Sequence, residues 1–191
     1  MEASSVQEGL EAATTVSAST PERPEQPAPS TGTLITSGKR GRENMCMLTH
    51  ERLDSSAIVD MVVEPCCGAA SVFLGTTRNS FEGKEVVRLE YEAYAPMALK
   101  ELDALCEGAR SLHDVHRIAV FHRLGVVPVT EASVVIAVAS PHRRAAMDAC
   151  AWLIDGLKVR VPIWKKEVYA DEAAAWKQNP EAGVGLFPSS K

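Results

Sequence analysis

The sequence predicts an α+β domain built on mixed or antiparallel sheets. Three observations carry that prediction. The patterned segments follow one another as strand, helix, strand, strand, helix, strand, strand, helix, strand. One of those strands alternates cleanly between apolar and charged residues, as an antiparallel sheet with one wet face requires. Neither a glycine-rich dinucleotide fingerprint nor a P-loop is present. With 191 residues, 46% of them hydrophobic, the chain can bury one good core but not two large domains.

In chain order, residues 1–44 are rich in Glu, Ser, Thr, Pro, Ala and Gly and contain no Phe, Trp or Tyr. Such a segment cannot bury enough apolar surface to offset chain entropy, so it is expected to be a disordered tail. Glu2, Glu8 and Glu11 argue against a transit peptide. Order is expected to begin with a short strand at 45–49, inside a domain spanning 45–178 and followed by a flexible tail over 179–191. A short helix follows from Ser55 or Ser56 to about Val63. GAASVFLGT, residues 68–76, reads as a buried strand, and Arg78-Asn79 opens a turn that closes at Gly83. In 85–94, Val87, Leu89, Tyr91 and Ala93 fall on one face and Arg88, Glu90 and Glu92 on the other, a half-solvated strand expected to form a hairpin with its predecessor.

Pro96 starts a helix with Met97, Leu102, Leu105, Cys106 and Ala109 at helical spacing, and 117–122 and 133–139 read as two further strands. Ser140-Pro141 has the form of a helix start, a hydroxyl to cap orphan N–H groups and a proline that needs no N–H at the first position. Met147, Cys150, Ala151, Ile154 and Leu157 then recur at helical spacing, so the helix should end near Lys158. The β-branched, proline-containing run 161–164 should continue as an edge strand or extended segment.

Residues 140–167 concentrate His142, Arg143, Arg144, Lys158, Arg160, Lys165 and Lys166 in a chain of formal net charge -5. A charged helix end and a Lys-Lys pair ordinarily form a solvated face. Here, Lys158 shares a stripe with Ile154 and Leu157 and stands near other cations. Partial desolvation of that kind disfavours the charged form and makes an amine a usable base or nucleophile. The helix start offers a separate anion site beside His142 and Arg143. Arg78, at the exit of a strand, is placed where rigid scaffolds present binding groups.

Other classes are disfavoured. The acidic balance, with pI about 5.6, argues against nonspecific nucleic-acid binding. Cys46, Cys66, Cys67, Cys106 and Cys150 form no CxxC and no paired Cys/His spacing, so neither a disulfide framework nor a zinc site is expected. No apolar run reaches membrane-spanning length and the N-terminus has no signal-peptide core, so the expectation is a soluble, cytosolic protein. Cys66-Cys67 could suggest a persulfide carrier, but no basic neighbour is available locally to activate either thiol. His122-Arg123 could bind a backbone carbonyl or a carboxylate as readily as a ligand, and Tyr91 and Tyr94 read as packing residues with wet hydroxyls.

FLGTTRN with Arg78, FEGKEVVRLEYEAYAPMA, AVFHRLG, SPHRRA with His142 and Arg143, and LKVRVPIWKKE with Lys158 and Lys165 resemble, in order and spacing, the large catalytic subunit of molybdopterin synthase in its eukaryotic form. The resemblance runs from about Cys66 to Trp176. It implies a hammerhead-like α/β fold with an added antiparallel β subdomain. It also implies a homodimer within a heterotetramer, completed by two copies of a small ubiquitin-like sulfur carrier ending in a Gly-Gly thiocarboxylate. The implied reaction moves sulfur, in two rounds, from that carrier to cyclic pyranopterin monophosphate to make the dithiolene of molybdopterin. The implied substrate-binding positions are Thr76, Thr77, Arg78, His142, Arg143, Lys158, Lys165, Lys166 and Glu167, with Lys158 and Lys165 catalytic, and no metal or cofactor. Both ligands are anions, which an acidic protein can bind only through a local cationic pocket. Two alternatives are a cysteine-based sulfurtransferase resting on Cys67 or Cys150, and a non-catalytic binder of a phosphate ligand.

Overall fold

The structure, a computed structural model, describes residues 32–170 and the backbone of 175–177. Its elements are β1 (Thr33–Lys39), β2 (Arg42–Thr49), α1 (Ser55–Val62), β3 (Ala69–Thr76), β4 (Ser80–Phe81), β5 (Lys84–Ala93), α2 (Ala95–Leu112), β6 (Ile118–Arg123), β7 (Gly125–Pro128), β8 (Ala132–Ser140), α3 (Arg143–Arg160), β9 (Ile163–Tyr169) and β10 (Ala175–Lys177). The main sheet has the order β1-β2-β6-β8-β3, with β2 and β6 parallel and the other pairs antiparallel. A second sheet, β10-β9-β5-β4 with β7 also on β5, is antiparallel throughout. The α+β class with an added antiparallel sheet is as expected.

The period-two rule explains how the main sheet holds helices on both faces. Ile118 and Val120 of β6, with Val134, Ile136 and Val138 of β8, bury against α2 and α3. The intervening Ala119, Phe121, Val135, Ala137 and Ala139 bury against α1. Both strands are central and covered on both sides, so they read as unbroken apolar runs rather than alternations. α3 is fixed by Ala149, Cys150, Leu153, Ile154 and Leu157 in the first cluster. Truncating a side chain as buried as Leu153 would cost about 2–5 kcal/mol. Its contact with α2 is close: a Cβ on Gly108 would lie 2.7 Å from Trp152 Cη2.

Several expectations are corrected. Order begins before Met45, because residues 33–44 lie in a hairpin in which β1 pairs residue for residue with β2. Polar side chains join the packing of Ile35, Cys46 and Leu48 on the core in tying that hairpin down: Ser37 Oγ donates to Asp103, and Asn44 Nδ2 donates to Glu107. The rest of the expected N-terminal tail, 1–31, and the expected C-terminal tail, 179–191, lie outside the described residues. β3 is an edge strand with one open face, where Val72 and Leu74 are 43% and 46% exposed, not a buried strand.

β5 does not pair with β3. Its partners are β4, β7 and β9, strands remote in sequence apart from β4. A register shift between Val86 and Arg88 leaves Val87 out of the ladder and exposed, so Val86 rather than Val87 shares a face with Leu89 and Tyr91. β7 falls in what read as a connection. The chain leaves β6 for this second sheet through Gly125, whose φ of 73° suits glycine.

Ser140 does not cap α3. It ends β8, its hydroxyl donates to Asp114 O at 2.7 Å and accepts from His142 N–H, and α3 begins at Arg143 with His142 as N-cap. Met97 and Met147, assigned to apolar stripes, are more than half exposed. β9 is no edge strand, since it lies between β5 and β10. Among the described residues no helix is long and apolar enough to cross a membrane.

Candidate functional site

A cleft of about 660 Å³ lies where the main sheet, α3 and the second sheet meet. β3 and the residues after it bring Thr76 and Arg78 to its wall, the last turns of α3 bring Lys158, and β9 brings Lys165 and Glu167. Its apolar lining comes from residues such as Phe73, Leu89, Ile154 and Leu157. The volume is that of a site for a small molecule.

The placement of Lys165 follows from strand geometry. Lys165 and Glu167 are two apart on β9 and so share a face, and the register sets them opposite Tyr91 and Leu89 of β5. Lys165 Nζ lies 3.0 Å from Glu167 Oε1. Glu167 is 4% exposed, and its second carboxylate oxygen accepts a hydrogen bond from the Tyr169 hydroxyl. A buried carboxylate needs such partners, and in meeting that need Glu167 fixes the Lys165 ammonium at the cleft wall. Arg78 is exposed at the mouth, its guanidinium 5.6 Å from the centroid of the Phe81 ring. Lys158 is half-buried.

Five polar residues not expected at the site also line the cleft: Ser80, Glu82, Tyr91, His122 and Ser133. Tyr91 Oη donates to Ser133 Oγ at 3.3 Å, and Ser133 Oγ donates to Gly75 O at 3.2 Å. The Tyr91 hydroxyl is therefore internally bonded rather than wet, and burial pushes its pKa up, keeping it a phenol. Burial pushes His122 down to about 4, so it is neutral near pH 7 and its Nδ1–H donates to Arg123 O at 2.8 Å. Its ring meets Tyr91 edge-on, with centroids 4.9 Å apart. The available signal was a polar side chain near the end of each of two otherwise apolar strands, His122 in IAVFHR and Ser133 in ASVVIAVAS.

Not all the expected binding residues converge here. Thr77 is buried behind the wall, with its hydroxyl 3.4 Å from Val127 O, and fixes the loop rather than facing the cleft. Lys166 lies on the opposite face of β9 from Lys165, 3.4 Å from Glu90. The Arg88 hydrogen bond, and then Lys166, hold the Glu90 carboxyl below its ordinary range. His142 and Arg143 line a second, open cleft with Pro141, Arg144 and Met147 at the other end of α3. Within one chain, Thr76, Arg78, Lys158, Lys165 and Glu167 are brought together, and His142 and Arg143 are not.

Cys67 and Cys150, the two candidates for a cysteine mechanism, are poor nucleophiles. Burial, then the neighbouring Cys66, pushes the Cys67 thiol up to about 11, and burial also raises Cys150 inside the α3 core. Cys66 does have a basic neighbour, contrary to expectation: His116 Nδ1 is 3.3 Å from its Sγ, across fifty residues of sequence.

A family model described as MoaE protein matches residues 48–160. Molybdopterin synthase catalytic subunits from Bos taurus and Homo sapiens are 53% and 54% identical over 139 and 133 residues, covering 73% and 70% of this chain and 74% and 70% of theirs. The crystal structure of molybdopterin synthase from Staphylococcus aureus matches with a TM-score of 0.64 at 33% identity, over 68% of this chain and 94% of that one.

Proposed function

The chain belongs to the MoaE protein family and is a sulfurtransferase of molybdopterin synthesis, and from that premise we propose how its residues divide the work. The cleft receives a pyranopterin cyclic phosphate together with the C-terminal Gly-Gly thiocarboxylate of a small carrier subunit, in the cytosol. The carrier's sulfur bonds to a pterin carbon as a carbon–oxygen bond at that carbon breaks, the oxygen leaving as water or as the released end of the cyclic phosphate, and an acyl thioester then joins the two. Water, or transiently the Lys158 amine, then adds to the acyl carbon, and the oxyanion that forms sits against the Lys165 ammonium. As the carbon–sulfur bond to the carrier breaks, sulfur stays on the pterin as a thiol and the carrier leaves as a carboxylate, directly where water has added and after hydrolysis of a Lys158 amide where the amine has, with Lys158 moving the protons on the water route. A second charged carrier repeats the sequence to complete the dithiolene. Arg78 holds the phosphate.

The observation that carries this reading is the convergence of Lys158 and Lys165, from separate elements, on one apolar-lined cleft in which Glu167 and Tyr169 hold Lys165. The raised thiol pKa values of Cys67 and Cys150 favour it over a cysteine mechanism.

His142 and Arg143 complete the site from a second copy. Sixteen residues of helix, at about 1.5 Å each, place His142 roughly 24 Å from Lys158, beyond the reach of one small ligand. A two-fold homodimer brings the His142–Arg143 end of one protomer to the Lys158 cleft of its partner, twice over, inside a heterotetramer with two carriers. Incubation with thiocarboxylated carrier and the cyclic pterin should yield dithiolene product. Binding of both without turnover would instead identify a non-catalytic binder.

A further inference from the structure

Away from the cleft, three metal-ligating side chains converge that no step of sulfur transfer uses. Cys66 and Cys67 sit in the turn between α1 and β3, and His116 sits just before β6. Cys66 Sγ lies 4.0 Å from Cys67 Sγ and 3.3 Å from His116 Nδ1, and the three ligand atoms all fall within 4.8 Å of one another. Around tetrahedral zinc, bond lengths of about 2.3 Å to sulfur and about 2.05 Å to nitrogen put two sulfurs about 3.8 Å apart and a sulfur and a nitrogen about 3.6 Å apart. The preformed separations straddle those values, so small side-chain rotations suffice.

Both pieces of backbone are also held still. Cys67 N–H closes the turn onto Glu64 O at 3.0 Å, and the Glu64 carboxylate is pinned to Arg117, next to His116, at 2.6 Å. His116 N–H donates to Ala139 O at 2.8 Å, and its carbonyl accepts from Arg110. A site that is rigid before the ion arrives loses little entropy on binding it.

We propose that Cys66, Cys67 and His116 bind one borderline-soft d10 cation of the zinc(II) type, with a fourth position left open to solvent. Two thiolates and one imidazole select such an ion over magnesium or calcium, which take oxygen ligands. Cys66 is exposed and the other two are half-buried, so an ion can enter without unfolding the chain. The donor set is hidden in the sequence because His116 lies fifty residues from Cys66, outside any local Cys/His spacing.

The test uses the full chain, reduced and stripped of metal. Zinc(II), titrated against a competing chromophoric chelator, should bind at one equivalent. Cobalt(II) in its place should show thiolate-to-metal charge-transfer bands. Cys66→Ser, Cys67→Ser and His116→Gln should each weaken zinc binding at least tenfold. In the unsubstituted chain, zinc should slow alkylation of Cys66 and Cys67 at least tenfold by peptide mass spectrometry, a readout that does not depend on any variant folding. Absence of stoichiometric zinc, cobalt spectra without thiolate bands, unchanged affinity in His116→Gln, or unprotected thiols would each overturn the proposal.

Discussion

The two ends of α3 both present cations, in opposite settings. At the C-terminal end Lys158 enters a cleft with an apolar lining, where a buried carboxylate holds Lys165 and where Tyr91, Ser133 and His122 are already bonded to one another or to backbone. At the N-terminal end His142, Arg143 and Arg144 are exposed, and Arg144 is engaged in an ordinary surface pair with Asp148, 2.8 Å away. Side chains at the first end are positioned before any ligand arrives, whereas those at the second need another surface to give them position. On the function proposed above, similar cations make a reaction centre in one place and half of a binding site in the other.

The sharpest way to break this contrast is at Lys158. A side chain that moves protons in the transition state typically contributes about 10²–10⁴-fold, and guanidinium stays protonated at any working pH, so Lys158→Arg should be nearly as inactive as Lys158→Ala. Lys165→Arg keeps the charge next to Glu167 and should retain far more activity. Equal, mild losses of dithiolene formation at both positions would return the C-terminal end to a solvated face.

The N-terminal end is tested by mixing. Arg143→Ala and Lys158→Ala chains, each nearly inactive alone, should regain activity when unfolded together and refolded as mixed dimers. A hybrid holds one intact and one doubly damaged site, so random pairing restores about a quarter of wild-type sites. Subunit exchange without recovered activity would show that the two ends never share a substrate.

A smaller effect, on stability, marks the cleft as the built end. His122 protonates near 6.5 in the unfolded chain but near 4 when folded. Between those values the unfolded chain holds more protons, so stability declines as pH falls through that window, by about 3 kcal/mol in all. His122→Gln should flatten the melting temperature against pH over the same interval. An unchanged slope would place His122 in a more hydrated setting than the cleft provides.

Residues with a local signature were legible in the sequence. α2 and α3 announced themselves by helical spacing, and Lys158 and Lys165 by cations set among apolar residues in an acidic chain. What could not be read depended on partners far along the chain. β5 alternates regardless of which strand it joins, so its pairing with β7 and β9 was invisible, and the displaced Val87 inverted the expected face over part of the strand. The β1 hairpin was hidden because β1 is held by polar bonds to α2 and by the packing of Ile35 rather than by a patterned apolar run. Lys165 and Lys166 look identical in sequence, and only the register of β9 sends one into the cleft and the other to Glu90.

α3 is also a fixed angular coupling. Its apolar side chains are clamped along its length and Gly108 allows Trp152 to dock closely, so the helix cannot twist to absorb an error. One residue inserted between Ala149 and Leu153 would rotate everything beyond it by about 100°, turning Lys158 out of the cleft while leaving Arg143 where it was. An added heptad would nearly restore the phase, to within about 20°, but would push the lysine some two turns past β9. The number of residues between these two cations is therefore specified as strictly as the cations themselves.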